Sequence, residues 1–238
     1  MNIALIGYGK MGKAIEEIAL AKDHQVVLKI DEDNLQDFTR ENISEADVAI
    51  EFTHPASAFR NLEKCFEFGI PVVCGTTGWL EKLQEAKQIC TSKNGCFLYA
   101  SNFSIGVNIF FELNRKLAEL MRNHSEYDVQ LLEVHHTQKK DAPSGTAITL
   151  AEQVLSTIKR KTRWVNRPSS NTSDLVILSE RKDPAPGTHK VSYSSEVDDI
   201  EIIHTAHSRK GFAGGAVLAA EFVAGKEGIY SMKDVLGF

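Results

Sequence analysis

The chain has little that would carry it onto nucleic acid or into a membrane. Lys and Arg together number 27 against 32 Asp and Glu among 238 residues, a formal net charge of -5. No basic field or stripe is therefore present to exchange for the counterions of a polyphosphate backbone, which argues against a sequence-independent nucleic-acid binder. No apolar run approaches the roughly 18 residues a membrane helix needs. The chain runs straight into NIALIGYGKMG, without a basic n-region or a small-residue cleavage site, so a cytoplasmic location is expected. Cys65, Cys74, Cys90 and Cys96 are the four cysteines. They form no CxxC pair and sit among apolar neighbours, which predicts buried free thiols rather than disulfides or metal ligands. Internal repeats and low-complexity linkers are also missing.

What is present is the composition of a globular chain, 42% hydrophobic and 25% charged, long enough for one large domain or two modest ones. The first hundred residues alternate β-branched runs (NIALIG, QVVLKID, DVAIEF, IPVVCG, CFLYA) with helix-period segments (KAIEEIALAK, SAFRNLEKCFEFG, LEKLQEAKQIC). That rhythm predicts a Rossmann-like, doubly wound parallel sheet with helices on both faces. Between Asp31 and Asp47 the chain is acidic and lacks an apolar strand, so a trimmed connection is expected there. A long amphipathic helix follows from about Ile105 to Arg122, then YDVQLLEVHH, a helix from near Ser144, and the strands DLVILSER, HKVSYSSEV and IEIIHTAHS. Strands following strands predict a second, α+β domain with a mixed sheet. The expected division is a dinucleotide-binding domain over residues 1–103 and 213–238, with the helix GGAVLAAEFVAG and the tail returning to it, and a substrate and oligomerisation domain over 104–212.

The string GYGKMG places Gly7, Gly9 and Gly12 after a strand and at the start of a helix, where glycines permit a tight turn and let a pyrophosphate approach the helix N-terminus. The second strand ends in Asp31, positioned to accept hydrogen bonds from the hydroxyls of an adenosine ribose. Asp31 is followed by Glu32 and Asp33 with no arginine beside them, so a 2'-phosphate is repelled and NADH is expected over NADPH. Lys10 and Lys13 lie close enough to temper this, which makes NADPH an accepted second cofactor.

The densest chemistry lies in EVHHTQKKDAPSGTA, Glu133 to Ala147. A strand ends at the histidines and a helix begins after Pro143, with Ser144 or Thr146 able to cap it and the N–H groups of Ser144, Gly145 and Thr146 expected to point outward. Such a helix N-terminus with Lys139 and Lys140 nearby suits a small anionic substrate that must also be protonated. Adjacent residues of a strand face opposite sides, so one of His135 and His136 can be structural. No HxxxH or HExxH spacing and no cysteine occurs in the segment, and no metal is expected.

This segment closely resembles the signature of the bacterial dihydrodipicolinate reductases, the 4-hydroxy-tetrahydrodipicolinate reductases of diaminopimelate and lysine synthesis. The resemblance extends in order through GYGKMG, VAIEFTHP, VVCGTTGW, ASNFSIGVN, HTAHSRKGFAGGAV and YSMKDVLGF, over essentially the whole chain. It implies an NAD(P)H-dependent oxidoreductase that reduces a cyclic, doubly carboxylated substrate to tetrahydrodipicolinate. It assigns proton donation or acceptance to His135, proton donation to Lys139, and substrate binding to His136, Ser144, Gly145, Thr146 and Thr77. It places cofactor contacts on Gly7, Tyr8, Gly9, Lys10, Met11, Gly12, Asp31, Gly75, Thr76, Thr77, Ala100, Ser101, Asn102 and Phe103. A homotetramer built through the second domain's sheet also follows from it. With the dinucleotide turn expected in one domain and the anion site in the other, hydride transfer requires the two to approach, so hinges are expected near Asn102 to Ser104 and Gly211 to Gly214. Two features depart from the family pattern. The glycine loop is one residue shorter than the common GxxGxxG form, and Thr137 stands where some relatives carry a basic residue. A non-catalytic dinucleotide sensor, the rival reading, would keep Gly7, Gly9, Gly12 and Asp31 but has no use for His135, Lys139 and the Ser-Gly-Thr step together.

Overall fold

A computed structural model describes residues 1–208 and 210–238; Arg209, within the HTAHSRKGFAGGAV stretch, lies outside them. The chain forms two units, Met1–Ile105 with Lys210–Phe238, and Gly106–Arg209. The segments expected as hinges thus fall inside the first unit, beside the two points at which the chain crosses between units.

In the first unit, β1 (Asn2–Ile6), β2 (Gln25–Ile30), β3 (Val48–Glu51), β4 (Val72–Cys74), β5 (Cys96–Tyr99) and β11 (Gly228–Tyr230) form one six-stranded sheet in the order β11-β5-β4-β3-β1-β2. Every pairing in it is parallel. The inner strands β1, β3, β4 and β5 are mostly apolar and buried because both faces are covered, whereas the edge strand β2 exposes Gln25 and Lys29. Alternate residues of β1 divide between two cores: Ala4 and Ile6 pack with α3 (Pro55–Phe68) and α4 (Leu83–Ser92), while Ile3 and Leu5 pack with α1 (Lys10–Ala21) and α7 (Lys210–Val223). The Asp31–Asp47 connection holds a 3-10 turn over Glu32–Asp37 and the one-turn α2 (Arg40–Ile43), with no strand. The next strand, β3, therefore pairs directly with β1 and leaves β2 at the sheet edge. Strand β11 was not legible in the tail: its three residues carry no pattern of their own and pair with β5 through position alone.

The second unit contains α5 (Ile105–Met121), β6 (Asp128–His135), α6 (Gly145–Thr157), β7 (Arg163–Val165), β8 (Asp174–Arg181), β9 (Gly187–Ser194) and β10 (Asp199–Ala206). Its sheet runs β10-β9-β6-β8-β7, with β6, β8 and β7 parallel and β9 and β10 antiparallel. Val129 and Leu131 of β6, Leu175 and Ile177 of β8, and Val191 and Tyr193 of β9 face the helices α5 and α6 and form its core. The same face of β6, continued by its period of two, carries Glu133 and His135, both buried.

Candidate active site

In the first unit, the turn from β1 into α1 is held by close backbone packing. A side chain at Gly7, where φ is +98°, would put its Cβ 2.0 Å from the Phe52 carbonyl oxygen, and one at Gly12 would come 2.3 Å from the Gly7 carbonyl oxygen. Around Gly9, the N-cap of α1, the protein leaves open space and provides no side-chain cap. Nothing in the fold requires glycine there, whereas close approach of a phosphate to the helix N-terminus does. The cradle accordingly fits a dinucleotide.

Tyr8 leaves this turn to donate a hydrogen bond to Glu16, and the Lys29 ammonium sits 2.6 Å from Glu16 Oε1 and 4.8 Å from the Tyr8 ring centroid. Lys10 opens α1 and is exposed; Met11 packs partly into the core. Asp31 is exposed and caps the 3-10 turn, its Oδ1 accepting from the Glu32 N–H at 3.0 Å.

The other expected cofactor residues divide into supports and exposed positions. A Cβ at Gly75 would lie 2.1 Å from the Phe52 ring, so this glycine admits the ring. Thr76 is buried, its Oγ1 accepting from the Thr53 N–H at 2.8 Å and its carbonyl from Trp79 Nε1 at 2.7 Å. Thr77 and Ser101 are exposed, Ala100 is half-buried, and Asn102 Oδ1 accepts from the Ser104 N–H at 2.9 Å. Phe103 is core: its ring packs on Phe52 with centroids 5.6 Å apart, and its carbonyl oxygen would lie 1.7 Å from any Cβ at Gly215. Its side chain therefore supports the site instead of lining it. The cysteines are all free and buried, and burial pushes every thiol up, Cys90 and Cys96 to about 11. They are inert at neutral pH.

In the second unit the chemistry gathers at the C-terminal end of β6. Strand register aligns Glu133 with His189 of β9 and with Ser179 of β8, and His135 with Arg181 of β8. The Glu133 carboxylate, fully buried, accepts from the Ser144 N–H at 3.1 Å, Ser179 Oγ at 2.7 Å and Arg181 Nη2 at 3.4 Å. His189 Nε2 lies 3.1 Å from Ser144 Oγ and 3.7 Å from Glu133 Oε2. Burial pushes the Glu133 carboxyl up, but the bonds around it outweigh burial and hold it well below the usual carboxylate range. His135 Nδ1 faces Glu133 Oε2 across 3.4 Å, and burial is the main reason its imidazole falls to about 4, against a smaller upward pull from Glu133.

Ser144 caps α6, its Oγ accepting from the Ala147 N–H at 3.2 Å. Its own N–H points inward to Glu133, which corrects the expectation of three outward N–H groups: Gly145 and Thr146 remain at the helix start. The intervening loop is pinned by Arg181, whose Nη2 donates to the Asp141 carbonyl at 2.6 Å and whose Nε donates to the Lys139 carbonyl at 3.3 Å. Lys139 Nζ pairs with Asp141 at 2.7 Å, and Thr137 Oγ1 donates to Asp183 at 2.5 Å. His136, half-buried, directly follows the end of β6.

Glu133, Ser179, Arg181, Gly187 and His189 carried no assigned role in the sequence reading. The available signal was periodicity: Glu133 continues the buried series Val129, Leu131, and His189 precedes Val191 and Tyr193. Gly187 leaves room for the His135 ring, since a Cβ there would come 3.1 Å from Nε2. Among the described residues, Glu133, His135 and His189 also bring potential metal-ligand atoms within 4.8 Å of one another. Three candidate ligands of two types, one carboxylate and two imidazoles, are thus assembled where spacing rules predicted none. The carboxylate is nevertheless already served by a guanidinium and two neutral donors, and a divalent cation would be repelled by Arg181.

This arrangement has an acid-stability consequence. Below the ordinary value of 6.5 the unfolded His135 imidazole takes up a proton that the folded protein refuses until about pH 4. Below the ordinary value of 4.5, unfolded Glu133 also protonates while the folded carboxylate stays charged. Both make the unfolded state bind more protons, so stability is present at pH 7 and falls with acid. His135 alone contributes up to about 3 kcal/mol of loss between pH 6.5 and 4. Thermal midpoints measured from pH 7.5 to 4 should fall steeply in the parent protein and less so in His135→Gln; parallel curves would refute the assignment.

A parallel sheet with a glycine turn opening its first helix and an acid after its second strand defines a Rossmann-type nucleotide-binding protein. Residues 1–103 match the family model for the dihydrodipicolinate reductase N-terminus and residues 106–236 that for its C-terminus. The 4-hydroxy-tetrahydrodipicolinate reductase of Christiangramia forsetii is 51% identical over 99% of this chain and 98% of its own length. That of Neisseria gonorrhoeae is 34% identical over 82% and 74%. In fold, the chain is similar to a dipicolinate-bound dihydrodipicolinate reductase from Paenisporosarcina, with a TM-score of 0.77 at 22% identity over 97% of each chain. The chain belongs to the dihydrodipicolinate reductase family, and the activity this membership carries is NAD(P)H-dependent reduction in the diaminopimelate and lysine pathway. No described helix is long and apolar enough to cross a membrane.

Proposed function

We propose that the chain reduces 4-hydroxy-tetrahydrodipicolinate to tetrahydrodipicolinate in the cytoplasm, with NADH preferred and NADPH accepted, as a homotetramer built through the sheet of its second unit. The observation that carries the reading is the gathering of His135, the Lys139 loop and the start of α6 around one buried carboxylate, Glu133. The bound nicotinamide supplies the hydride.

The N–H groups of Gly145 and Thr146 take one carboxylate of the substrate, as an anion site at a helix start requires; His136, beside them in sequence, holds the substrate further. The dipicolinate carried by the Paenisporosarcina structure, a ring with two carboxylates, accords with this. Lys139 leaves Asp141, which is exposed and releases it readily, and turns to the substrate. His135 is neutral at pH 7 in the free protein, so Lys139 is the group with a proton to give as negative charge develops on the ring. In the first unit, Gly7 to Gly12 cradle the pyrophosphate and Asp31 binds the ribose hydroxyls. Lys29, committed to Glu16 and Tyr8, does not offset the repulsion of a 2'-phosphate by Asp31, Glu32 and Asp33.

The test is nicotinamide absorbance with purified protein and substrate generated in place from pyruvate and aspartate semialdehyde. Oxidation faster with NADH than with NADPH is expected, from a species four times the mass of one chain by light scattering. Absence of oxidation by protein that binds NADH would favour the sensor; faster NADPH oxidation would refute the role given to Asp31.

A further inference from the structure

Resting on that reading, we infer that Glu133 is a positioning residue that sets both proton-handling groups at once: it fixes the tautomer of His135 directly and the place of the Lys139 backbone through Arg181.

The first half follows from the buried nitrogen. Among the described residues His135 Nδ1 has no hydrogen-bond partner, but it lies 3.4 Å from an ionised carboxylate oxygen. A bare Nδ1 lone pair there would oppose a second acceptor inside the protein, a costly contact. A protonated Nδ1 points its N–H at the carboxylate, and a slight approach completes the bond. The neutral ring therefore carries its proton on Nδ1 and keeps Nε2 bare. Nε2 is the atom turned toward Gly187, in the space that a side chain at that position would fill. The acid–histidine pair thereby leaves one defined nitrogen, Nε2, without a proton and able to accept one. The charged and titratable groups facing His135 come from three strands and the loop: Glu133, His189, Arg181 and Lys139.

The second half follows from Arg181. One guanidinium reaches the Glu133 carboxylate, the Asp141 carbonyl and the Lys139 carbonyl. The loop with the reactive ammonium is thus tied to the same buried charge that orients the imidazole. The Ser144 N–H on that carboxylate extends the tie to the start of α6, where Gly145 and Thr146 stand. A single anion holds the proton donor, the imidazole and the anion site in register. His189, which also lies beside this carboxylate, steadies the cap through Ser144 Oγ.

The experiment is 15N spectroscopy of histidine-labelled enzyme, with His135 assigned by loss of its signals in His135→Gln, alongside steady-state kinetics. In the parent protein at pH 7, His135 should show a protonated Nδ1 and a bare Nε2; the opposite tautomer overturns the proposal without any variant. Glu133→Gln should show mixed tautomers and a kcat lower by about 10²-fold, the scale of a misplaced reacting group, with the KM for NADH unchanged. Arg181→Lys keeps the charge but loses the fork. It should lower kcat by about tenfold, the scale of one charge-assisted hydrogen bond, while leaving the His135 tautomer as in the parent. A kcat within threefold of the parent in Arg181→Lys would overturn the loop tie, and an unchanged tautomer in folded Glu133→Gln would overturn the histidine half. If the parent protein oxidises no NADH, the proposed activity fails instead, and the parent spectrum still decides the tautomer.

Discussion

Lys139→Ala is expected to slow turnover by about 10²- to 10⁴-fold, the range for loss of a positioned proton donor. NADH affinity should stay within a factor of about two, because Lys139 lies in the second unit and the dinucleotide turn in the first. The fold should tolerate the change: the side chain's partner is Asp141, an exposed residue, and surface pairs contribute about 0–1 kcal/mol. His135→Ala should lose a comparable factor in kcat, and its thermal stability should also fall, since it empties a buried site beside Glu133. Stopped-flow kinetics with NADH fluorescence titration separates the two effects. Equal loss of cofactor affinity in Lys139→Ala would show that this lysine is not confined to the chemical step.

The second large effect distinguishes two glycines three letters of sequence make look alike. Gly7→Ala places a Cβ 2.0 Å from the Phe52 carbonyl oxygen at a residue with φ of +98°. Backbone strain of this kind costs about 1–3 kcal/mol before the clash is counted, and relief requires moving β1 against β3, because Phe52 directly follows that strand. NADH binding and thermal stability should be lost together. Gly9→Ala meets nothing within 4 Å among the described residues. Its thermal midpoint should match the parent's while NADH binding weakens by at least about tenfold, a 1.4 kcal/mol effect, because the new methyl lies where the pyrophosphate approaches the helix. Unchanged NADH affinity in Gly9→Ala would remove the pyrophosphate from that turn.

Much of the first unit was legible because parallel strands buried on both faces spell themselves as short apolar runs, and the glycine turn is a local signal. The trimmed Asp31–Asp47 connection was legible for the converse reason: no apolar run exists there to be a strand. Strand β11 was hidden because three residues cannot display a period. Of the segment Glu133 to Ala147, the histidines, lysines and helix start were visible as titratable residues before an N-cap. The inward turn of the Ser144 N–H was not, because it depends on an acid eleven residues earlier whose side chain is aimed by the pleat of β6.

By itself the sequence determined the parallel strands, the glycine turn, the acid after the second strand and the family, since each is written in contiguous residues whose spacing is the spacing of the structure. Only the tertiary structure decided how the side chains at the end of β6 are held. Glu133 meets Ser179 and Arg181 across 46 and 48 residues, and Ser144 meets His189 across 45. Those meetings arise from strand register, in which a shift of one residue would turn Glu133 and His135 to the opposite face. Register is set by the packing of Leu131, Ile177 and Val191 into one core, and not by any motif that contains the reacting groups.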